Sequence, residues 1–269
     1  MEKGVISYGQ HYLENEDIKK CLIESAKLNK NDVVIEVGAG DGRITNLIAE
    51  KVRQVVAYEI DEKTKDVLLQ LQNKEKNIEI IFENFLTAKL PEANKIVASL
   101  PYQITEPFLE KIKLIKNLES VTLLVGKTFG KLANEGEKFE VTKLLLLLRC
   151  YFKSEYICDV SKENFNPPPK TISSIIHLLP KCKAELVEQP ELFVMREIFQ
   201  QRDKRVSNAL REGIIRFYAE KGLVKTKRET KDLINQYFDA PELDEYLEQM
   251  NNQKIANLFN KLTELLKKN

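Results

Sequence analysis

The chain has 269 residues, 43% apolar and 31% charged, which fits a soluble globular protein with room for one sizeable α/β domain and a smaller partner. Its 42 basic and 41 acidic residues leave a formal charge of +1, excluding a chain-wide polyanion-binding character; any basic surface must be local. Scattered cysteines without a Cys-x-x-Cys pair, only two histidines (His11 and His177), no apolar core of signal-peptide length in Met1–Gly9 and no apolar run long enough for a bilayer predict a cytoplasmic protein with no metal site and no membrane contact.

In chain order, a polar and aromatic arm over residues 7–13 precedes a helix with Ile18, Cys21, Leu22 and Ala26 on one face. The arm has two readings: a packing tyrosine, or a flap over a ligand with Gln10, His11 and Leu13 as contacts. On the residues alone the first is favoured. The centre of the chain follows. Val33–Val37 is a β-branched, apolar run that stops at Gly38-Ala39-Gly40-Asp41-Gly42, and Arg43–Glu50 resumes with Ile44, Leu47 and Ile48 at helical spacing. A strand, a glycine turn and a helix in succession form a nucleotide cradle, because glycine lets the backbone approach a ligand and the helix N-terminus offers unpaired N–H groups.

The glycines stand as Gly-x-Gly-x-Gly, whereas a dinucleotide fingerprint needs Gly-x-Gly-x-x-Gly. A second strand, Val55–Ile60, carries Glu59 at its end, 21 positions after Gly38, where a carboxylate can accept both ribose hydroxyl protons. Together with Glu36 ahead of the glycines, this favours S-adenosylmethionine over NAD, with Gly38, Gly40, Gly42, Glu59 and Ile60 as cofactor contacts. A helix over Glu62–Leu71 leads to a third strand, Ile78–Phe82, followed by Asn84. That amide can reach an adenine edge, or it can simply make a turn.

A fourth strand, Lys95–Ala98, runs into Ser99-Leu100-Pro101-Tyr102. Pro101 lacks an N–H and biases Leu100 toward an extended conformation, leaving its carbonyl free for a ligand, while Tyr102 offers a ring for stacking a base. Strands over Val121–Val125, Tyr151–Val160 and Ser174–Leu179 follow, with a leucine-rich, buried helix over Val141–Leu148 among them. Asn164–Lys170, with three consecutive prolines, is a stiff loop that presents Phe165, either to a pocket or as a core plug. Beyond about Lys181 only helical periodicities remain, over Leu192–Gln201, Lys204–Glu220, Lys227–Phe238, Leu243–Met250 and Ile255–Lys267. From Arg202 to Lys231 ten basic residues face four acids, a local excess suited to phosphates or to a solvated face.

Gly9-Gln10-His11-Tyr12-Leu13, Glu36-Val37-Gly38-Ala39-Gly40, Glu59-Ile60-Asp61, Leu100-Pro101-Tyr102-Gln103-Ile104, Phe165–Lys170 and Phe199–Val206 together resemble the ribosomal RNA adenine dimethyltransferases, in order and over nearly the whole chain. The resemblance implies a Rossmann-like seven-stranded α/β methyltransferase fold over residues 1–181 and a small all-α RNA-binding domain over 182–269. It also implies transfer of methyl groups to N6 of two adjacent adenosines near the 3′ end of small-subunit rRNA, by a monomer acting on a ribosomal precursor particle. By position, Gln10, His11, Leu13, Gly38, Glu59, Asn84 and Ser99 would line the cofactor pocket; Ser99, Leu100, Pro101 and Tyr102 would hold the target adenine and Phe165 would close its other face. The chain departs from the family pattern in having Ser99 for asparagine, Asn84 for aspartate and Gly126-Lys127-Thr128 after the fifth strand, which admits an alternative: an assembly factor with weak or no catalysis.

Overall fold

The computed structural model describes residues 11–135 and 138–268, the side chain of Tyr102 excepted. In chain order the elements are β1 (Tyr12–Leu13), α1 (Glu16–Ser25), β2 (Val33–Val37), α2 (Arg43–Ala49), β3 (Gln54–Tyr58), α3 (Lys65–Lys74), β4 (Ile78–Ile81), β5 (Lys95–Ser99), α4 (Thr105–Ile112), β6 (Ser120–Gly126), α5 (Lys127–Glu135), α6 (Lys143–Tyr151), β7 (Phe152–Val160), β8 (Phe165–Asn166) and β9 (Ser173–Pro180), then five helices: α7 (Pro190–Gln200), α8 (Val206–Glu220), α9 (Lys227–Ile234), α10 (Ala240–Leu243) and α11 (Asn252–Lys267). The chain divides into two compact units. One runs up to Asn134 and resumes over Ser154–Pro180; the other takes Glu135–Lys153 and Lys181–Asn269.

The first unit is built on a seven-stranded sheet in the order β4-β3-β2-β5-β6-β9-β7. β2, third in that order, lies inside the sheet with all five of its residues buried, the pattern of a strand covered on both faces. It pairs in parallel with β3 and β5, and β9 returns antiparallel to β6. Val37 is in register with Tyr58 on one side and Ala98 on the other. Gly38, Glu59 and Ser99, the next residue on each strand, therefore come out together at the C-terminal edge, where open parallel sheets bind ligands. Leu22, Ile23, Val34, Ile48, Val55, Leu68 and Val97 form the core against this sheet, joined by Leu13 and Phe165.

In the second unit α6 packs on α7 and α11. Its buried leucines, Leu145–Leu148, gave no sequence signal as to which neighbours they would take. α7 and α8 approach closely at Gly213, where a Cβ would lie 3.1 Å from Val194 Cγ1. Beside it Glu197, fully buried, pairs with Lys183 at 2.8 Å and with Arg216. The expected helix over Leu243–Met250 is replaced by α10 and a separate 3-10 turn, Leu247–Gln249. Val206 N–H donates to the Glu245 carbonyl at 2.8 Å and Arg205 bridges to Tyr246, so the intervening backbone is drawn out of helical geometry.

Candidate functional site

The glycine turn is held against the ends of its neighbouring strands. Gly38 and Ala39 donate their N–H groups to the Tyr58 carbonyl at 2.9 and 3.1 Å. Gly38 has φ +86°, and a Cβ there would stand 3.1 Å from the Ser99 carbonyl oxygen, so both the backbone conformation and the close approach of β5 demand glycine. Three residues line up at one edge as a result.

Glu59 organises the edge. Its Oε2 accepts the Gly40 N–H at 2.7 Å and its Oε1 accepts the N–H groups of Ile60 and Asp61 at 2.7 and 2.8 Å. A carboxylate has about four lone-pair sites, so these three bonds orient it and leave capacity for a hydroxyl donor. Ile60 is 43% exposed although it follows a buried strand. The edge therefore presents an exposed isoleucine, an oriented carboxylate and a glycine turn side by side.

The arm docks onto this turn. Tyr12 Cε1 lies 3.2 Å from where a Gly40 Cβ would be, and burial together with Glu59, Asp61 and Asp41 raises its hydroxyl pKa. Arg43 donates a two-pronged bond to Glu14 at 2.7 and 2.9 Å and a further bond to Asp41 at 2.6 Å, holding the Glu14 carboxyl below its usual range. Leu13 and Tyr12 pair antiparallel with Phe165 and Asn166, and His11 Nδ1 is 2.7 Å from the Pro167 carbonyl. Tyr12 therefore packs against the glycine turn. His11 is exposed and Leu13 is buried in the core; Gln10 lies outside the described residues.

Ser99 is half-buried at the end of β5, Leu100 is buried with its N–H on the Leu124 carbonyl at 3.0 Å, and Pro101 is exposed, starting a 3-10 turn over Tyr102–Ile104. Among the described residues no backbone N–H takes up the Leu100 carbonyl. Asn84 is exposed and its Oδ1 accepts the Leu86 N–H at 2.9 Å, an Asx turn that occupies the oxygen and leaves the amide N–H groups outward. Gly42, with φ +81°, begins α2. Phe165 is 5% exposed, packed with Leu13 and Val160 in the core.

Glu36, two residues before Gly38, is a buried acid in the central region of the sheet. It is 1% exposed, between Ala57 and Val97 in the sheet, and its Oε2 has no hydrogen-bond partner among the described residues. Burial above all, with Glu59 and Asp41 nearby, pushes its carboxyl up to about 8, so it is a neutral acid at pH 7. An acid in an otherwise apolar strand was the available signal. Among the described residues no group of three or more His, Cys, Asp or Glu could hold a metal, and no helix is long and apolar enough to cross a membrane.

A profile of the family described as ribosomal RNA adenine dimethylase matches residues 1–240. The chain is 32% identical to a probable ribosomal RNA small subunit methyltransferase A of Pyrococcus furiosus, over 76% of this chain and 74% of that one. It is 34% identical to the ribosomal RNA small subunit methyltransferase A of Thermotoga maritima, over 76% and 73%. In fold it is similar to the crystal structure of a dimethyladenosine transferase from Plasmodium falciparum, with TM-score 0.62, 21% identity and coverage of 96% and 98%. A 23S rRNA methyltransferase, ErmE, is similar at TM-score 0.59 and 22% identity, covering 94% and 99%.

Proposed function

Since the chain belongs to the ribosomal RNA adenine dimethylase family, we propose that it transfers methyl groups from S-adenosylmethionine to N6 of two adjacent adenosines near the 3′ end of small-subunit rRNA. In this reading it works as a cytoplasmic monomer on a precursor of the small ribosomal subunit. The observation that carries the reading is the Glu59 carboxylate, oriented by Gly40, Ile60 and Asp61 at the sheet edge that also exposes Ile60 and ends in Ser99. The reading is supported by a carboxylate acceptor and an exposed apolar side chain on one sheet edge.

S-adenosylmethionine, when bound, supplies an electrophilic sulfonium methyl. The protein's part is to bind and orient. Glu59 would accept from the ribose hydroxyls, Ile60 would contact the cofactor, and Gly38, Gly40 and Gly42 would let the backbone come close. His11 on the arm is the exposed candidate contact, and the Asn84 amide donates at the adenine edge. The target N6 is a poor nucleophile because its lone pair is delocalised into the ring. Two acceptors, the Leu100 carbonyl and the Ser99 hydroxyl, hold the two N–H bonds for the first transfer, and one of them the single N–H left for the second; each transfer releases the N6 proton to solvent, so rate comes from orientation and electrostatics. Pro101 keeps the Leu100 carbonyl presented to the base after it leaves its stack, with Tyr102 as the ring to stack on it, while Phe165 is packed in the core. Serine reaches less far than asparagine, and losing its bond outright would cost about 1–3 kcal/mol, roughly ten- to a hundredfold in rate.

The test is transfer of labelled methyl to small subunits that lack the modification, followed by nucleoside analysis. Dimethyladenosine is the expected product. Cofactor binding without any methylated nucleoside would overturn the proposal in favour of an assembly factor.

A further inference from the structure

The cysteines that are scattered along the sequence do not all stay apart in the fold. Cys21 on α1 and Cys158 on β7, 137 positions away, meet with their Sγ atoms 3.9 Å from one another, each half-buried against the core of the first unit. Methyl transfer at the sheet edge uses neither thiol. Cys150 and Cys182 belong to the second unit, the one buried with its thiol on the Leu192 carbonyl at 3.5 Å and the other exposed.

Contacts cross between the two elements in antiparallel order. Glu14 and Asn15, just ahead of α1, donate their N–H groups to the carbonyl of Asn164, just past β7, at 2.8 and 3.4 Å. The thiols meet next, and beyond the end of α1 Lys27 lies 3.9 Å from Glu155, an exposed pair that contributes little. The two elements differ in how firmly they are held. α1 is anchored in the core by Leu22 and Ile23. β7 is the last strand in the sheet order, and residues 153–155 and 159 face solvent, so it belongs to the part of the fold that opens locally. It runs on toward β8, the partner of Tyr12–Leu13, so opening of β7 frees the arm. Closing the gap between the sulfurs to a bond asks two unbranched side chains for a small rotation.

We infer that Cys21 and Cys158 are a redox pair, which a low-molecular-weight disulfide oxidises to a disulfide that staples the edge strand β7 to α1 and keeps the arm on the glycine turn. Cys21 gives its proton to solvent and its thiolate attacks the oxidant, whose S–S bond breaks; a mixed disulfide forms on Cys21, and one small thiolate leaves and takes up a proton. Cys158 then gives its proton to solvent and its sulfur displaces the second small thiolate from Cys21, which is protonated in turn. The protein loses two electrons and the oxidant becomes two thiols. Burial, and then the neighbouring Cys21, push Cys158 up to about 11, which suits it to the second, resolving step. The effect on turnover rests on the S-adenosylmethionine reading above: with the arm held, the cofactor and its demethylated product exchange more slowly.

The experiment equilibrates the full chain with glutathione disulfide and glutathione at a series of ratios. It reads peptide mass, melting temperature, hydrogen exchange and S-adenosylmethionine dissociation. Oxidation is expected to give a linked Cys21–Cys158 peptide and to raise the melting temperature by about 5 °C or more. Exchange of the Glu14 amide slows roughly tenfold, and cofactor dissociation slows by about threefold or more. Dithiothreitol reverses all four. Cys158→Ala abolishes the response while its reduced form keeps wild-type turnover, and Cys21→Ser does the same if that variant folds poorly; Cys182→Ser responds as wild type. Glutathione adducts without a linked peptide would overturn the inference, as would a linked peptide that leaves melting and Glu14 exchange unchanged. Unaltered dissociation from a protein that does bind S-adenosylmethionine would overturn it too. A linked peptide with higher melting and slower exchange in a protein that binds no S-adenosylmethionine would keep the staple and sink the functional proposal instead.

Discussion

The Glu59 carboxylate receives the Gly40 N–H at 2.7 Å and so ties the end of β3 to the glycine turn that follows β2. The same group receives Ile60 and Asp61. One side chain thereby shapes the turn, orients itself and leaves the isoleucine facing outward.

Replacing it tests whether this edge is the cofactor cradle. In Glu59→Gln the side chain keeps one oxygen acceptor and turns an NH2 donor toward backbone donors, so either the Gly40 bond or the Ile60 and Asp61 bonds are lost. Hydrogen bonds to charged groups contribute about 1.5–3 kcal/mol, which sets an expected loss of roughly ten- to a hundredfold in S-adenosylmethionine affinity by calorimetry. Unchanged affinity would remove Glu59 from the cofactor site.

Gly38→Ala places a Cβ at φ +86° and 3.1 Å from the Ser99 carbonyl oxygen. Strain of this kind costs on the order of 1–3 kcal/mol, and the shift needed to relieve it moves β5 at Ser99. A lower melting temperature is expected, with methyl transfer reduced more than cofactor affinity. Equal losses in the two would mean that Ser99 does not position the target base.

Glu36 gives stability a pH dependence. Its carboxyl lies near 8 in the folded chain against an ordinary value of 4.5, so across that window the folded state holds a proton that the unfolded state has released. Stability is therefore greatest below the ordinary value and falls as pH rises toward 8, flattening above it. Thermal melts of the cofactor-free protein from about pH 5 to about pH 8 should show this decline, and Glu36→Gln, neutral throughout, should flatten it and melt higher at the alkaline end. A variant with the wild-type slope would assign the dependence to other groups.

Phe165 separates packing from chemistry. It is buried with Leu13 and Val160, so Phe165→Ala should cost about 3–5 kcal/mol whatever its role in turnover. Phe165→Leu retains most of the volume and should melt within a few degrees of wild type. If the ring closes over the target base, this variant binds cofactor normally while its kcat falls tenfold or more; a normal kcat would leave Phe165 as a core residue only.

The sequence by itself determined the central strand, the glycine turn and the acid that faces it, because each depends on neighbours within a few residues: β-branched runs make strands, and glycine alone admits the positive φ of Gly38. The seven strands of the sheet were legible for the same reason, as was the helical character beyond Lys181. Contacts between distant segments were not. The pairing of Tyr12–Leu13 with Phe165–Asn166 joins stretches some 150 residues apart, each too short to carry a strand pattern, and it decides where the arm lies on the turn. Packing alone settled which helices the leucines of α6 would meet and which basic residues of 202–231 would be neutralised, since a sequence shows charges but not their partners. Only the tertiary structure buried Glu36 between two strands, and it is that loss of water, absent from any local pattern, that turns an ordinary glutamate into a neutral acid.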